Sequence, residues 1–248
     1  MPDVEWNKKY WNEEYQWPMA GEEWSKQWGG AQIQWWSSIA PRIGSFLPAN
    51  TILEIAPGYG RWTKFLLNNC KHYKGFDLSI NALEYCKNHY FSHGLAASRE
   101  FTLTNGYLLP GVGGETIDFV FSFDSLVHAE MDVIESYISE ISRILKHGAH
   151  AFIHHSNYAD VMNSFEKNTA RRGVDVSAAR FKEVANKHGL TATVQEKITW
   201  DSEQLQDCFT LLSKNKEALE TEVLENYDFW REAGLAPQKL AMYHRDRT

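Results

Sequence analysis

The sequence predicts an α/β fold in which a seven-stranded, mostly parallel sheet carries helices on both faces. Apolar, strand-like runs alternate with helical segments, one run leads directly into a glycine turn, and the next ends in an aspartate. The strand-like runs are residues 51–56, 72–77, 100–104, 117–123, 148–155, 190–198 and 207–212. In sheets of this kind, ligands bind at the carboxyl ends of the strands.

The first strand and the turn after it occupy residues 52–62, with the sequence ILEIAPGYGRW. Glu54 places a carboxylate near the strand end, and Gly58 and Gly60 let the backbone approach a ligand that a Cβ atom would exclude. The second strand ends in Asp77, where a carboxylate can accept hydrogen bonds from both hydroxyls of a ribose. Together these features predict a Rossmann-like site for a nucleoside-containing cofactor.

A nicotinamide dinucleotide is the competing cofactor. Its GxGxxG fingerprint needs a third glycine, which Gly58 and Gly60 would place at position 63, where the chain has Thr63. The sequence therefore disfavours a dinucleotide. A tight turn without a ligand is a weaker interpretation still, because it leaves Asp77 unexplained.

The glycine turn and Asp77 resemble the cofactor site of the class I S-adenosylmethionine-dependent methyltransferases. The family's loop runs acid, x, Gly, x, Gly, x, Gly, and here an alanine stands at the first glycine position. The resemblance covers residues 50–213 and implies S-adenosylmethionine as the cofactor. The residues that it assigns to cofactor binding include Glu54, Ala56, Pro57, Gly58, Gly60 and Asp77.

Further cofactor contacts follow from the same resemblance. The polar residue that meets the adenine amino group in the family corresponds to Asn105, which precedes Gly106; an ordinary Asn-Gly turn is an equal alternative. Phe76 or Leu78 would pack against the adenine. Phe123, at the end of the fourth strand, is assigned to the same pocket.

Three histidines and an aspartate lie near the ends of the fourth and fifth strands. Asp124 and His128 come after the fourth strand, and His154 and His155 end the fifth. Methyl transfer to an alcohol needs a base, and an imidazole titrates near neutral pH. We therefore predict His154 or His155 as the general base. Because successive side chains on a strand face opposite sides, only one of them is expected to point into the cleft.

His128 and Asp124 each have more than one interpretation. In the resembling family a histidine near this position often shapes the cofactor pocket, and for His128 this role ranks slightly ahead of catalysis. Asp124 could orient a histidine, bind the acceptor hydroxyl or help to hold a divalent metal ion. The carboxylate and the histidines lack a close ligand spacing, so metal dependence is not favoured.

The N-terminal segment is rich in aromatic residues. Seven of the ten tryptophans lie in the first fifty residues: Trp6, Trp11, Trp17, Trp24, Trp28, Trp35 and Trp36. We expect this segment to form a cap, with most of the tryptophans packed onto the core. Trp28, Trp35 and Trp36 adjoin the flexible Gly29 and Gly30 and are predicted to line the acceptor cleft.

The chain is expected to divide into a helical cap at residues 1–50, a cofactor-binding domain at 51–213 and a C-terminal helical extension at 214–248. Near the end of the middle segment, Arg171 and Arg172 form a pair. They could bind a phosphate or carboxylate of the acceptor, or be ordinary solvated surface.

Composition limits the partners and the location. The net charge is −7 and no basic stripe is present, which disfavours a nucleic acid as acceptor. The sequence contains no run of about 18 apolar residues, so no membrane span is predicted. Cys70, Cys86 and Cys208 are few and widely spaced, as expected for reduced thiols. We expect a cytosolic protein that acts on a small-molecule or saccharide acceptor.

The downstream strings FSFDSLVHAE and FIHHSN resemble those of bacterial methyltransferases associated with sugar and polysaccharide modification. The resemblance implies an O-methyltransferase acting on a hydroxyl of a sugar, oligosaccharide or glycosylated metabolite. Two alternatives stay open: a small-molecule N- or O-methyltransferase of a biosynthetic pathway, and a non-catalytic module of the same fold that only binds. Fold analogy does not choose between them.

Overall fold

The computed structural model describes residues 3–162, 171–200, 202–215 and 220–241. Its central strands are apolar segments that are buried on both faces, as expected when helices cover a parallel sheet on both sides. The strands are β1 (Ala49–Ile55), β2 (Cys70–Asp77), β3 (Ser98–Leu103), β4 (Ile117–Ser122), β5 (Leu145–Ser156), β6 (Thr191–Ile198), β7 (Asp207–Ser213) and β8 (Glu222–Asn226).

The strand order is β3-β2-β1-β4-β5-β7-β6-β8. Strands β1 to β5 pair in parallel, whereas β7 runs antiparallel to both β5 and β6. The reversal of β7 brings its first residue, Asp207, opposite Ser156 at the end of β5. The carboxyl ends of β1, β2, β4 and β5 therefore share one edge of the sheet with the beginning of β7.

Helices cover both faces of this sheet. They are α1 (Val4–Lys9), α2 (Ala31–Gln34), α3 (Ala40–Ile43), α4 (Thr63–Leu66), α5 (Ile80–Tyr90), α6 (Met131–Ile144), α7 (Tyr158–Val161), α8 (Ala178–Lys187) and α9 (Phe229–Ala241). Ser79 caps α5 by accepting the Ala82 N–H, and Ser177 caps α8 by accepting the Arg180 N–H. No helix of the described residues is long and apolar enough to cross a membrane.

Two hydrophobic clusters fill the space between sheet and helices. One packs α6 and α8 against residues such as Ile55 and Val120. The other, on the opposite face, packs the N-terminal helices and α9 against residues such as Ile52 and Phe121. Arg42 links α3 to β6 and α9, because its guanidinium donates hydrogen bonds to both Glu196 and Glu232.

All seven predicted strands are confirmed within a few residues, and the sheet gains one more strand, β8. The segment 214–248 was expected to be helical. It contains β8 before α9, and β8 pairs in parallel with β6 at the sheet edge. Val223 and Leu224 of β8 are more than half exposed, so this strand lacks the buried alternation that marks a strand in sequence.

Candidate active site

A cavity of about 390 Å³ lies at the carboxyl ends of β1, β2 and β4, beneath the N-terminal segment. Its volume is typical of small-molecule sites. We call one part the glycine end; it is lined by Ala56, Pro57, Gly58, Asp77, Leu78 and Gly106. We call the other part the aromatic end; it is lined by Tyr10, Trp11, Tyr15, Trp24, His128 and Arg171. Phe123 and Trp17 also line the cavity.

The turn after β1 is held in an unusual backbone conformation. Ala56 has a φ of +56° and Gly58 a φ of +55°, both in the left-handed region that glycine tolerates best. A Cβ atom on Gly60 would lie 2.3 Å from Cε2 of Tyr90, so that position needs glycine for packing. Gly60 does not line the cavity, and its role is to let the turn close.

Asp77 is fixed at the end of β2 by backbone donors. Its Oδ2 accepts the Gly58 N–H at 2.8 Å, and its Oδ1 accepts the Ser79 N–H at 2.8 Å. Burial raises the pKa of this carboxyl to about 6, against the opposing effect of those backbone hydrogen bonds. The carboxyl lines the cavity and retains lone pairs that could accept hydroxyl protons of a ligand.

Glu54 lies away from the cavity surface. Its Oε2 accepts hydrogen bonds from the hydroxyls of Thr63 and Tyr73, and the side chain is buried. Burial raises the pKa of Glu54 to about 7. Because Glu54 does not line the cavity, the structure gives it a role in supporting the turn rather than the predicted direct contact with a cofactor.

Asn105 also departs from the prediction. Its side chain is exposed, and its Oδ1 accepts the N–H groups of Tyr107 and Leu108. This is the turn that the Asn-Gly pair favours. The neighbouring Gly106 does line the glycine end, where a Cβ atom would meet Cγ1 of Val4 at 2.9 Å.

His128 lies at the aromatic end. Its Nδ1 donates to the carbonyl oxygen of Arg171 at 2.9 Å, which leaves the proton-free lone pair on Nε2. Burial, together with the positive charge of Arg172, lowers the pKa of His128 to about 4. The ring is therefore neutral near physiological pH, and among the described residues its Nε2 has no hydrogen-bond partner.

Asp124 forms an ion pair with Arg61 beside the cavity. Oδ2 of Asp124 lies 2.7 Å from Nη2 of Arg61, and both side chains are largely buried. The guanidinium of Arg61 lies over the rings of Trp62 and Trp24, at 4.6 and 5.3 Å from their centroids. Asp124 has a φ of +60°, a conformation that non-glycine residues seldom adopt.

His154 holds Asp124 in that conformation. Its Nδ1 accepts the Asp124 N–H at 3.1 Å, so Nε2 carries the proton and donates to Oδ2 of Asp207 at 3.2 Å. Arg172 donates to the same carboxylate oxygen at 2.7 Å. The ring of His154 is fully buried and does not line the cavity.

His155 faces the opposite side of β5. Its ring stacks on Phe181 with centroids 3.9 Å apart, its Nδ1 donates to the Ser156 carbonyl, and its Nε2 accepts from the Thr210 hydroxyl. With both nitrogens engaged and no exposed surface, His155 cannot reach a ligand in the cavity. Neither His154 nor His155 lines the cavity, and both nitrogens of each ring are engaged by other groups, so neither is placed where the predicted general base would act.

The tryptophans that line the cavity are not those expected. Trp28 and Trp35 are buried in the core, and Trp36 is 66% exposed; none of the three lines the cavity. The lining is formed by the earlier part of the segment, including Trp11, Tyr15, Trp17 and Trp24. Trp17 covers Gly58 and stacks on Tyr59 with centroids 4.4 Å apart.

The reason for this shift lies at the two glycines. Gly29 and Gly30 have φ values of +85° and +113°, so they turn the chain from the cavity cover into the buried helix α2. Trp35, after the turn, therefore packs on the core, whereas Trp28, just before the turn, is already packed against Trp200 and Trp230. The clustering of Trp and Tyr between residues 10 and 24 was the available signal for the cavity lining.

Both predicted arginines line the cavity. Arg171 lies over the ring of Tyr10, with its guanidinium carbon 4.4 Å from the centroid, and over Trp6 at 5.3 Å. Arg172 is buried and paired with Asp207. Within the described part of the chain, no group of three or more His, Cys, Asp or Glu side chains could hold a metal ion.

Comparison with known proteins identifies the domain that carries this site. Residues 52–148, which include the glycine turn, Asp77 and His128, match a family model described as a methyltransferase domain. The chain therefore contains a methyltransferase domain. No curated protein matches this chain.

Solved methyltransferases share the fold of this methyltransferase. One from Clostridium acetobutylicum gives a TM-score of 0.58 at 14% identity, covering 77% of this chain and 92% of that one. One from Methanosarcina mazei gives 0.54 at 15% identity, covering 73% and 98%. A TehB-like enzyme from Corynebacterium glutamicum gives 0.51 at 17% identity, covering 77% and 97%. At these identities the likeness concerns the fold.

The donor set of the glycine end fits S-adenosylmethionine. A nucleoside needs a carboxylate for its ribose, close backbone at the turn and apolar surface for its base. Asp77, Gly58 and Leu78 line one continuous space and offer these three features. The glycine end is therefore the candidate cofactor site, and it lies at the edge of the sheet that the sequence indicated.

Proposed function

We propose that this methyltransferase transfers a methyl group to a hydroxyl oxygen of a small acceptor, a sugar or sugar-bearing metabolite, that binds at the aromatic end of the cavity. The observation that carries this proposal is the state of His128. Its Nδ1–H is held by the Arg171 carbonyl, so the lone pair is on Nε2 of a ring that lines the cavity.

A hydroxyl acceptor requires such a group. An alcohol is a weak nucleophile until its proton begins to leave, and a neutral imidazole can accept that proton. Because burial keeps the pKa of His128 at about 4, the ring remains neutral and available across the physiological pH range. His128 replaces His154 and His155 in the role of general base.

The walls of the aromatic end support a ring-bearing acceptor. Tyr10, Trp11, Tyr15 and Trp24 present flat apolar faces, on which the C–H face of a sugar ring can stack. The N-terminal segment that supplies them also covers the cavity, which restricts it to small acceptors and keeps water away from the reacting atoms.

In the proposed mechanism, the protein aligns two ligands and moves one proton. S-adenosylmethionine supplies a methyl group bound to a positively charged sulfur. Asp77 and the turn at Gly58 hold the nucleoside part, and the aromatic end holds the acceptor. The bound cofactor would give its methyl group to the hydroxyl oxygen and would keep the C–S electron pair on sulfur, while Nε2 of His128 would accept the hydroxyl proton.

An amine acceptor is the second candidate. Aromatic rings also attract ammonium groups through cation–π contacts, and four of them line this end of the cavity. Arg171 at the same end disfavours a cationic acceptor, so we rank the amine below the hydroxyl. The expected cytosolic location stays part of the proposal and is supported by the three free, buried cysteines.

The test is transfer of labelled methyl from S-adenosylmethionine into fractionated saccharide, polyol and amine pools from cells that contain the protein. The proposal expects label in hydroxyl-bearing, ring-containing products, as ethers that survive mild base. Label confined to amines would select the second candidate. Cofactor binding by calorimetry without any label would contradict catalysis and indicate a binding module.

A further inference from the structure

Arg171 is held in place beside the proposed base. Its φ of +53° lies in the left-handed region, and its carbonyl accepts the proton on Nδ1 of His128. Two residues later, the Gly173 N–H donates to the Val127 carbonyl, and a Cβ atom on Gly173 would lie 2.0 Å from the Ala129 carbonyl oxygen. The chain from Arg171 to Gly173 is therefore packed against the turn that carries His128.

The side chain of Arg171 is oriented by aromatic rings. Its guanidinium carbon lies 4.4 Å from the ring centroid of Tyr10 and 5.3 Å from that of Trp6, and no described residue accepts a hydrogen bond from its N–H groups. In the part of the chain that the structure describes, no carboxylate forms an ion pair with Arg171. The described ion pairs of the neighbouring arginines use other carboxylates.

Among the described charged residues that line the cavity, one positive charge, that of Arg171, is not balanced by a carboxylate. Arg61 is paired with Asp124, and Arg172 is paired with Asp207. The remaining lining carboxylate, Asp77, accepts backbone N–H groups at the glycine end. Among the described residues, Arg171 is thus the lining cation whose charge no carboxylate partner balances, and it lies at the aromatic end where the acceptor binds.

We infer that the acceptor carries an anionic group, a carboxylate or a phosphate, which the guanidinium of Arg171 binds while the hydroxyl of the same molecule faces His128. This inference rests on the proposed function and narrows its acceptor to acidic or phosphorylated sugars and related hydroxy acids. A planar guanidinium with an open N–H edge binds either oxyanion through paired hydrogen bonds. Because the methyl group goes to the hydroxyl, the anion keeps its charge in the product.

The first experiment measures anion binding without turnover. Inorganic phosphate, acetate and glucose are titrated separately into the full-length protein at low ionic strength, and tryptophan fluorescence reports binding because Trp6 lies beside Arg171. Arg171→Met should weaken phosphate or acetate binding roughly tenfold to a hundredfold, and Arg171→Lys by less. Arg231→Met, a change at an exposed arginine of α9, should leave binding unaltered. Equal anion binding by wild type and Arg171→Met overturns the inference.

The second experiment uses the labelled products of the wild-type enzyme. They should be retained on an anion exchanger at pH 8, and treatment with phosphatase should release them only if the anion is a phosphate. Arg171→Met should raise the acceptor KM at least tenfold, while the cofactor Kd stays constant. Label in neutral products overturns the anionic acceptor and leaves the hydroxyl transfer standing. Absence of label from every fraction contradicts the proposed function, while the phosphate and acetate titrations still decide whether Arg171 binds anions.

Discussion

Nδ1 of His128 lies 2.9 Å from the carbonyl oxygen of Arg171, and this contact determines which ring nitrogen carries the proton. A carbonyl only accepts hydrogen bonds, so Nδ1 is the donor and Nε2 is left as the basic atom. The same contact ties the position of the base to the chain that carries Arg171. One hydrogen bond therefore links His128, the proposed base, to Arg171, which we infer binds the anionic group of the methyl acceptor.

Turnover and cofactor affinity should both decline at low pH, but at different pH values. His128 must be neutral to act, and with its pKa at about 4, kcat should stay constant down to about pH 5 and fall below that. Asp77 has its pKa raised to about 6, so cofactor affinity should decrease as the pH falls through 6 and this carboxylate is protonated. Steady-state kinetics and cofactor-binding calorimetry from pH 3.5 to 9 would separate the two. An acid limb in kcat near pH 6.5 would argue against His128.

Replacing Asp77 should weaken cofactor binding. Asp77→Asn removes the charge and half of the acceptor capacity from the end of β2, and we expect the Kd of S-adenosylmethionine to rise at least tenfold, about 1.4 kcal/mol. Isothermal calorimetry measures this directly. Asp228→Asn changes an exposed carboxylate that does not line the cavity and serves as the matched control. Unchanged affinity in Asp77→Asn would remove Asp77 from the cofactor site.

Trp24 and Trp36 should behave oppositely. Trp24 lines the cavity and lies over Arg61, so Trp24→Leu should raise the acceptor KM roughly tenfold with little change in the cofactor Kd. Trp36 is 66% exposed and outside the cavity, so Trp36→Leu should leave both constants unaltered. Thermal unfolding of both variants separates a loss of fold from a loss of binding. The reverse pattern of KM values would contradict the structure of the cap.

Replacing Ala56 by glycine should stabilise the protein. At a φ of +56° an L-residue is less stable than glycine, and Ala56→Gly is expected to raise the free energy of unfolding by about 0.5 to 1 kcal/mol. The matched change Ala82→Gly, inside helix α5, should lower it by at least about 1 kcal/mol. Denaturant titration measures both. Destabilisation by both changes would mean that Ala56 does not adopt the left-handed conformation.

The sequence predicts the sheet well and brings the glycine turn and Asp77 to one cavity, because both features depend on local signals. Strands such as residues 117–123 are apolar runs, and Asp77 ends the run before α5, so their positions follow from short stretches of sequence. The left-handed conformation at Ala56 matches the position where the resembling family has glycine. The edge strand β8 was missed because its exposed residues carry no buried pattern.

The aromatic end was predicted poorly, because its composition depends on long-range packing. Sequence alone placed His154 and His155 at a strand end, and only the antiparallel β7 brings Asp207 and Thr210 close enough to occupy their nitrogens. Likewise, the path of the N-terminal segment, including the turn at Gly29 and Gly30, determines which tryptophans reach the cavity. These contacts join residues more than fifty positions apart or depend on the exact path of a turn, and composition does not reveal either.

The most direct test of the account is single-turnover methyl transfer by His128→Ala, with the acceptor found for the wild type. We expect the rate of the chemical step to fall roughly 10² to 10⁴-fold, with the cofactor Kd unchanged and partial rescue by added imidazole. His147→Ala, at an exposed histidine outside the cavity, should react at the wild-type rate. A His128→Ala enzyme that transfers methyl at the wild-type rate would show that His128 is not the base and that the central proposal is wrong.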